Sequence, residues 1–501
     1  MNNKISFAIV GSGTAGLVAA LMLRKAFRDA DITVISSSQI GIVGVGEGST
    51  EHWKMFMESC DIPVEELIVN SSATHKNGIR FENWTNHTPD YFHSVGGIDE
   101  IFANGLYASY MGMIENKQLI TSQTSSVGLV TNKIGRHNIH RTVNQFHFDT
   151  YQLNDYLMGI CFNRMIKFVE GNVDSVNLDS ENGTVKSVNV NNGTMIDADF
   201  WFDASGFSRV IMNSLENTEW ESFSPYLLAD SAIAFPTESD PNGQIRPYTR
   251  ARAASSGWMW EIPTQERRGN GYVFSSAHIS VDKAIEEAEK ISGYKVKDNP
   301  RTFKYDAGYL KNQWVKNCVA VGLAGAFVEP LEATSIGSTI ILMKSLMQSL
   351  SSYTKESEKM QTAYNKMTKE TMRNILTMIR LHYVSDRRDT QFWIDQSNMP
   401  INDELQELID LWSERPPSRY DSYNQQHLMF QTPHLAHVMQ GQGLIPPEPS
   451  SIALDRLNIR DIVRAEIDKI RNSRHAHELI DHRVGLMEIK LIDEEYSNGI
   501  Q

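Results

Sequence analysis

The sequence predicts an α/β protein in which a βαβ nucleotide-binding unit carries an inserted β-sheet and ends in a helical C-terminal region. Three patterns carry that prediction. Residues 5–10 are an apolar run, a glycine loop follows, a helical run reaches about residue 27, and a second strand spans 31–36. Residues 229–279 alternate and are rich in aromatics, including Gly257-Trp258-Met259-Trp260-Glu261-Ile262-Pro263, as a sheet requires. From Ile336 onward the period becomes that of amphipathic helices, with long segments near 338–352, 356–381 and 452–473.

Between these lie strand-like segments at 167–170, 185–190 and 200–203, with Asn-Gly turns at 182–183 and 192–193, so the chain is expected to return to its first sheet after an excursion. The expected division is a discontinuous nucleotide domain from 1–90, 140–215 and 300–345, a substrate-side sheet with loops from 91–139 and 216–299, and a helical region from 346–501 covering the substrate site.

A chain of 501 residues is long enough for two or three packed substructures. Its 47 Lys+Arg against 61 Asp+Glu give a net charge of −14 without a basic block, which argues against nucleic acid or an anionic membrane surface as partner. Cys60, Cys161 and Cys318 are far apart, so neither a disulfide framework nor a metal site is expected, and a reducing cytoplasm is the simplest setting. The apolar run 5–23 is similar to a signal segment, but its glycines at 11, 13 and 16 argue against export. No other run reaches the roughly eighteen apolar residues of a spanning helix, so the expectation is a soluble protein.

Gly11-Ser12-Gly13-Thr14-Ala15-Gly16 sits directly after a strand and directly before a helix. Gly11 permits the tight turn, Gly13 lets backbone approach a pyrophosphate, Gly16 allows close strand–helix packing, and the helix start supplies N–H groups and a positive dipole end. This is a Rossmann-like dinucleotide site. The acid expected about twenty residues on, for a ribose hydroxyl, is replaced by Ser36-Ser37-Ser38, so the Ser36 hydroxyl is the expected substitute. Asp203-Ala204-Ser205-Gly206 resembles the second flavin-contact motif of large FAD enzymes of the GR2 type. With no second GxGxxG for a nicotinamide, the reading is a flavoprotein reduced by another protein.

Five further segments occur in fixed order: Gly44-Val45-Gly46-Glu47-Gly48-Ser49-Thr50, Lys76-Asn77-Gly78-Ile79-Arg80-Phe81-Glu82-Asn83-Trp84, Trp258-Met259-Trp260-Glu261-Ile262-Pro263, Glu329-Pro330-Leu331-Glu332-Ala333-Thr334-Ser335, and a stretch expected to be helical from His382 to Trp393. Together with the glycine loop they resemble the flavin-dependent tryptophan halogenase family over most of residues 1 to about 395, and the match fades beyond about 400. The resemblance implies an enzyme that takes FADH2 from a separate flavin reductase, uses oxygen and a halide ion to make hypohalous acid, and delivers it to a small electron-rich aromatic. It implies Lys76 as the residue receiving the oxidant and Glu332 as the carboxylate that takes the ring proton or orients the oxidant. It implies flavin contacts at Ser12, Thr14, Ala15, Gly46, Glu47, Gly325, Ser335 and Ile336, and halide contacts at Thr334 and Ser335. Trp258 and Trp260, two apart and so on one strand face, would form a wall between flavin and substrate. His93 would flank the substrate ring, and Val95, where the family has an aromatic residue, predicts a wider pocket. Ala333 and Ser335 depart from the family's Ser-Thr-Gly and predict a reshaped halide pocket.

Two other readings share the nucleotide loop: an aromatic monooxygenase, which has no need of Lys76, and a non-catalytic flavin carrier or sensor, which needs neither Lys76 nor Glu332. The native substrate, the preferred halide and a homo-oligomeric state are left open.

Overall fold

The computed structural model describes residues 4–41, 47–94, 131–135, 145–296, 300–354, 357–422, 427–471 and 479–499. Among these residues, a six-stranded sheet has the order Trp314–Val315, Cys318–Ala320, Phe200–Asp203, Ser6–Val10, Asp31–Ser36, Lys167–Glu170. Its neighbours run parallel except at the 314–320 edge hairpin. A parallel sheet must be covered on its faces, and the helix Thr14–Ala26 does this, packed against Thr150–Asn163 and Thr334–Leu350.

The excursion after residue 170 behaves differently from the expectation. Val185–Val190 does not enter the main sheet; it is the centre of a separate three-stranded antiparallel sheet, with Gly183 and Gly193 at positive φ in the two Asn-Gly turns.

A seven-stranded sheet has the order Arg301–Lys304, Ser231–Glu238, Arg267–Phe274, Gly257–Pro263, Thr249–Ala254, Gly78–Glu82, Asp90–Ser94. Gly78–Glu82 and Arg301–Lys304 lie inside the ranges expected for the nucleotide domain, yet both hydrogen-bond into this second sheet. The chain therefore crosses between sheets within the single residue Asn77.

The strands on either side of that crossing matter most. Thr74–Lys76 and Glu47–Gly48 pair with opposite edges of Gln145–Phe148, placing Lys76 against Gln145 and Gly48 against His147. Across the crossing, Ile79 pairs with His93. Lys76 and His93 thus approach each other because two small strand pairings meet end to end.

The C-terminal half is helical as expected, with two differences. The helix Glu358–His382 stops at His382, and residues 383–390 form a loop before Gln391–Asn398 begins behind the Thr390 hydroxyl, which accepts from the Trp393 N–H. Thr390 is a good N-cap, and Arg387 pairs with Asp389 in the loop, so local side-chain bonds win over continuation. The segment expected as one helix from 452 to 473 is divided into Pro447–Arg456 and Arg460–Arg471 by Asn458 at φ 53°. No helix among the described residues is long and apolar enough to cross a membrane.

One contact in the second sheet shows how tightly it is packed. Gly271 lies opposite Trp260, and any Cβ on it would enter the indole ring and come within 2.5 Å of the Ile233 carbonyl oxygen. Overpacking of this kind costs about 1–3 kcal/mol. Gly271→Ala is therefore expected to lower stability by that amount in chemical denaturation, and an unchanged unfolding midpoint would contradict the packing described.

Candidate active site

Lys76 is 2% exposed. Its Nζ donates to the Ser49 carbonyl oxygen at 2.8 Å, and no carboxylate lies close enough to form an ion pair with it among the described residues. Burial pushes its pKa down to about 8, against the opposing pull of Glu332 and then Glu51. The amine faces a narrow cavity that is also lined by Thr50, Glu51, His93, Gln145, Glu332, Met429, Phe430 and His434.

Across this cavity Glu332 is equally buried. Its carboxylate accepts from His93 Nδ1 at 2.8 Å and from His382 Nε2 at 2.8 Å. Burial alone would raise its pKa; the His93 and His382 contacts outweigh that and hold it below the usual carboxylate range. The proton positions follow from donor counting. Gln442 Nε2 donates to the His382 carbonyl oxygen at 2.9 Å, which fixes its amide orientation, and to the Tyr91 hydroxyl at 3.0 Å. Tyr91 must then give its own proton to His382 Nδ1, 3.0 Å away, leaving Nε2–H of a neutral His382 to face Glu332. On the other side, His93 donates from Nδ1 to Glu332, and its Nε2 is hydrogen-bonded to His434 Nδ1, 2.9 Å away.

Three residues before Glu332, the buried Glu329 accepts from Trp258 Nε1 at 2.6 Å and from the Tyr383 hydroxyl at 2.7 Å, both on Oε2. Its Oε1 has no partner among the described residues. Desolvation raises its pKa to about 7, with those two bonds pulling the other way. Trp258 and Trp260 do share one face, their rings 6.1 Å apart, and Trp258 is pinned by this carboxyl.

At the carboxyl ends of the parallel strands the glycine loop has the form the sequence predicts. Gly11 is at φ 112° with the Ala204 carbonyl where its Cβ would be, Gly16 packs on the Gly11 carbonyl, and a Cβ on Gly13 would meet nothing. The helix behind it starts with no side-chain cap, so its first N–H groups point toward the space beside Gly13. These residues fit a dinucleotide pyrophosphate. The Ser36 hydroxyl bonds the Ser12 hydroxyl at 2.6 Å and so ties the loop to the second strand. Asn154 Nδ2 donates to the Ser12 carbonyl at 2.8 Å, and Thr14 Oγ1 donates to Asn154 Oδ1 at 3.2 Å. Asp203 is fully buried and its carboxylate is filled by Ser205, Ile211 and Met212 of its own turn, so it shapes the loop instead of reaching outward. The Gly322–Gly325 turn abuts Ala15. The helix Thr334–Leu350 starts nearby, after Ala333 at φ 55°, again without a side-chain cap. Thr334 and Ile336 are buried at its start, whereas Ser335 is exposed.

The tryptophan halogenase family model matches residues 6–456. The chain belongs to that family. It is 30% identical to the tryptophan 7-halogenase RebH of Lentzea aerocolonigenes over 90% of this chain and 92% of that protein. It is also similar in structure to Xcc4156, a flavin-dependent halogenase from Xanthomonas campestris, with 28% identity, TM-score 0.86, and 97% and 98% of the two chains covered. A tryptophan 6-halogenase, SttH from Streptomyces toxytricini, is similar at 25% identity and TM-score 0.87, covering 97% and 100%. The protein is thus an FAD-dependent halogenase acting on aromatic substrates, and the likeness runs well past residue 395, where the motifs legible in the sequence stop.

In this halogenase the lysine, the carboxylate and His93 line one cavity, while Glu47 lies in the strand across Gln145–Phe148 from Lys76, its Oε2 buried and without a partner among the described residues and its pKa raised to about 7 by burial. Gly46 and Val95 fall outside the described residues. His93 is more committed than a stacking residue need be, since both ring nitrogens are bonded. Sequence reasoning missed His382, Tyr91, Gln442, His434 and Glu51. His434 and His437, three apart on one helix, and Glu329 beside Glu332 were the available signals.

The buried histidines give the site a pH signature. Burial pushes His434, His437 and His482 down to about 4, 3 and 4. Above their ordinary unfolded value both folded and unfolded chains carry them neutral, so stability is full there. As pH falls from about 6.5 the unfolded chain takes up protons first, and stability is lost progressively to about pH 4. His437→Leu is expected to flatten the fall in denaturation midpoint between pH 6 and pH 4 by close to one proton's worth. Parallel curves for the two proteins would contradict a neutral His437.

Proposed function

We propose that the protein is an FADH2- and O2-dependent halogenase in which hypohalous acid made at the flavin is delivered by Lys76 to an electron-rich indole- or phenol-like substrate. The FADH2 would come from a separate flavin reductase and the halogen from a halide ion. The observation that supports this most is a buried amine and a buried carboxylate, Lys76 and Glu332, facing one cavity without forming an ion pair.

Bound reduced flavin supplies, with oxygen, the oxidising equivalents that convert halide to hypohalous acid. The glycine loop Gly11–Gly16 with Ser12, Thr14 and Ala15, the Ser36 and Asp203 strand ends, and Glu47, Gly325, Ser335 and Ile336 would hold the cofactor. The N–H groups of Thr334 and Ser335 would receive the halide at an uncapped helix start. Trp258, fixed through Glu329, and Trp260 would separate this region from the substrate, so that the oxidant must pass Lys76.

Lys76 spends one donor on Ser49 and has others to hold the oxygen of hypohalous acid, polarising the O–X bond as the ring attacks the halogen. Glu332 faces the ring as an unprotonated base. Its negative charge lowers the cost of cationic charge on the halogenated ring, and it takes the proton lost on rearomatisation. His93 and His382 keep it ionised and aimed until that moment.

Replacing Lys76 with Ala is expected to reduce halogenation by at least 100-fold while flavin oxidation and peroxide release continue; Glu332→Gln should cost about 100-fold with the same uncoupling. The measurement is mass spectrometry of an aromatic panel with chloride, bromide and iodide in competition and a flavin reductase present. Hydroxylated products from the unmodified enzyme would replace this reading with a monooxygenase, and flavin cycling that leaves every aromatic untouched would replace it with a carrier. Because Lys76 titrates at about 8, delivery by the ammonium is expected to fall as pH rises through 8; an increase there would mean delivery by the neutral amine.

A further inference from the structure

Lys76 has a neighbour whose hydrogen-bonding capacity the chemistry above leaves unused. Gln145 pairs directly with Lys76 in two antiparallel strands, so the two side chains rise side by side from one face, and both line the cavity. Gln145 Nε2 donates to Glu51 Oε2 at 3.2 Å. That bond fixes the amide, because only the NH2 end can face a carboxylate. The carbonyl oxygen Oε1 is left buried and without a partner among the described residues, on a side chain only 1% exposed. A buried acceptor in that state costs on the order of 1–3 kcal/mol and calls for a donor.

Lys76 does not supply that donor. Its Nζ turns to the Ser49 carbonyl oxygen, and no bond joins it to Gln145. A charged donor and a neutral acceptor on adjacent strands thus line one cavity without meeting, and the group that completes such a pair is a hydroxyl, which accepts from the ammonium and donates to the carbonyl. Hypohalous acid has that pattern, with its halogen left over to point elsewhere. The other acceptors around the cavity suit it less. Glu332 is held by His93 and His382, and its remaining capacity is needed for the ring proton. The Thr50 hydroxyl is bonded to His52 Nδ1 at 3.0 Å. Glu51 keeps 29% of its side-chain surface, and a carboxylate draws the proton of a weak acid toward itself, leaving an oxygen closer to hypohalite and a halogen that is a poorer electrophile. A neutral amide oxygen holds the O–H without removing it.

We propose that Gln145 is a catalytic residue of the halogen transfer: its carbonyl oxygen accepts the O–H of hypohalous acid while Lys76 donates to the same oxygen, and the two contacts together aim the halogen at the substrate ring. This rests on the reading that hypohalous acid is held at Lys76 in this cavity. One contact leaves the molecule free to turn about its hydrogen bond; two fix the oxygen and leave the halogen one direction. Gln145 can do this because strand pairing and Glu51 hold it in place. As the ring attacks, the carbon–halogen bond forms and the oxygen–halogen bond breaks, its electron pair staying on oxygen. Lys76 gives that oxygen a proton, Gln145 keeps its hydrogen bond to the water so formed, and the ring proton taken by Glu332 restores the balance. The aromatic and hypohalous acid become the halogenated aromatic and water with no other reactant.

The test follows the halogen. The unmodified enzyme and Gln145→Met, which keeps the chain length but has no carbonyl, are compared in turnover with reductase, bromide, an indole and monochlorodimedone as a trap for released hypobromous acid. Gln145→Met is expected to lower kcat for indole bromination about tenfold, the rate equivalent of one neutral hydrogen bond, with KM for the indole little changed. Flavin oxidation continues, and the missing bromine appears on the trap. Gln145→Glu is the rescue: two carboxyls at that separation share a proton, which keeps a neutral carbonyl oxygen at the same reach, so most of the indole bromination should return. Thermal unfolding, and calorimetric binding of the indole without flavin, check the cavity of each variant. Indole binding that falls in step with the rate while the trap gains no bromine makes Gln145 a structural residue and overturns the proposal. An unchanged division of bromine between indole and trap in Gln145→Met, or equal losses in the two variants, overturns it as well, and each of these leaves the halogenase reading in place. Failure of that reading looks different: the unmodified enzyme then brominates neither the indole nor the trap.

Discussion

An ionised carboxylate sealed from water is a costly object, and much of the site's arrangement follows from how this protein keeps one. Glu332 is 2% exposed and still charged because two imidazole N–H groups point at it. His382 is not free to choose its tautomer. The carbonyl of His382 orients Gln442, Gln442 orients Tyr91, and Tyr91 selects the nitrogen of His382 that carries the proton; His93 is held by bonds at both ring nitrogens, to Glu332 and His434. The carboxylate is therefore held by the hydrogen bonds of two imidazoles, and no ammonium or guanidinium among the described residues forms an ion pair with it.

Glu329 makes the comparison internal to the protein. It is as buried as Glu332 and three residues away, but its donors are an indole N–H and a phenol that crowd onto one oxygen and leave the other bare. Its pKa rises to about 7 where that of Glu332 falls. Two carboxyls in one turn are thus separated in protonation by their neighbours: the charge and hydrogen bonds of His93 and His382 at Glu332 against an indole and a phenol at Glu329. Their positions differ accordingly: Glu329 braces the Trp258 indole, while Glu332 lines the cavity that Lys76 faces.

Much of this was legible in the sequence where chemistry and local pattern coincide. The glycine loop was readable because a turn at φ 112° and two close backbone approaches demand glycine at fixed offsets. Lys76 and Glu332 were readable only through resemblance, since nothing in their local spacing says that one strand and one turn separated by 255 intervening residues share a cavity. His382, His434, Tyr91 and Gln442 were not legible at all: each supplies a hydrogen bond across the fold, and sequence periodicity carries no information about which nitrogen faces which oxygen. The expected nucleotide-domain range 1–90 took in 78–82, which pairs into the seven-stranded sheet, because a strand's partner is a long-range choice and Asn77 leaves no composition signal where the chain changes sheets. The 382–393 segment was misread as continuous helix because its charged residues fit a helical period, whereas the Thr390 cap and the Arg387–Asp389 pair stabilise a break.

The turn from 329 to 336 brings two buried carboxyls and an uncapped helix start close together while facing them differently. Glu329 and Glu332 are buried, and two residues after Glu332 the helix Thr334–Leu350 opens its uncapped N–H groups, with Ser335 exposed. Reversing the outlook of the chain so abruptly requires a left-handed residue, and Ala333 fills that place at φ 55°. A non-glycine residue there costs about 1 kcal/mol, and such strain persists only where the surroundings over-determine it. Here they do: Ala333 N bonds the Pro330 carbonyl, Glu332 is fixed by two histidines, and Thr334 is buried as the helix begins. An alternative with a wider, relaxed loop would separate the carboxylate from the helix start and let both move. The strained single-residue hinge instead makes Glu332 and the uncapped start of the helix one rigid unit, so that whatever positions one positions the other.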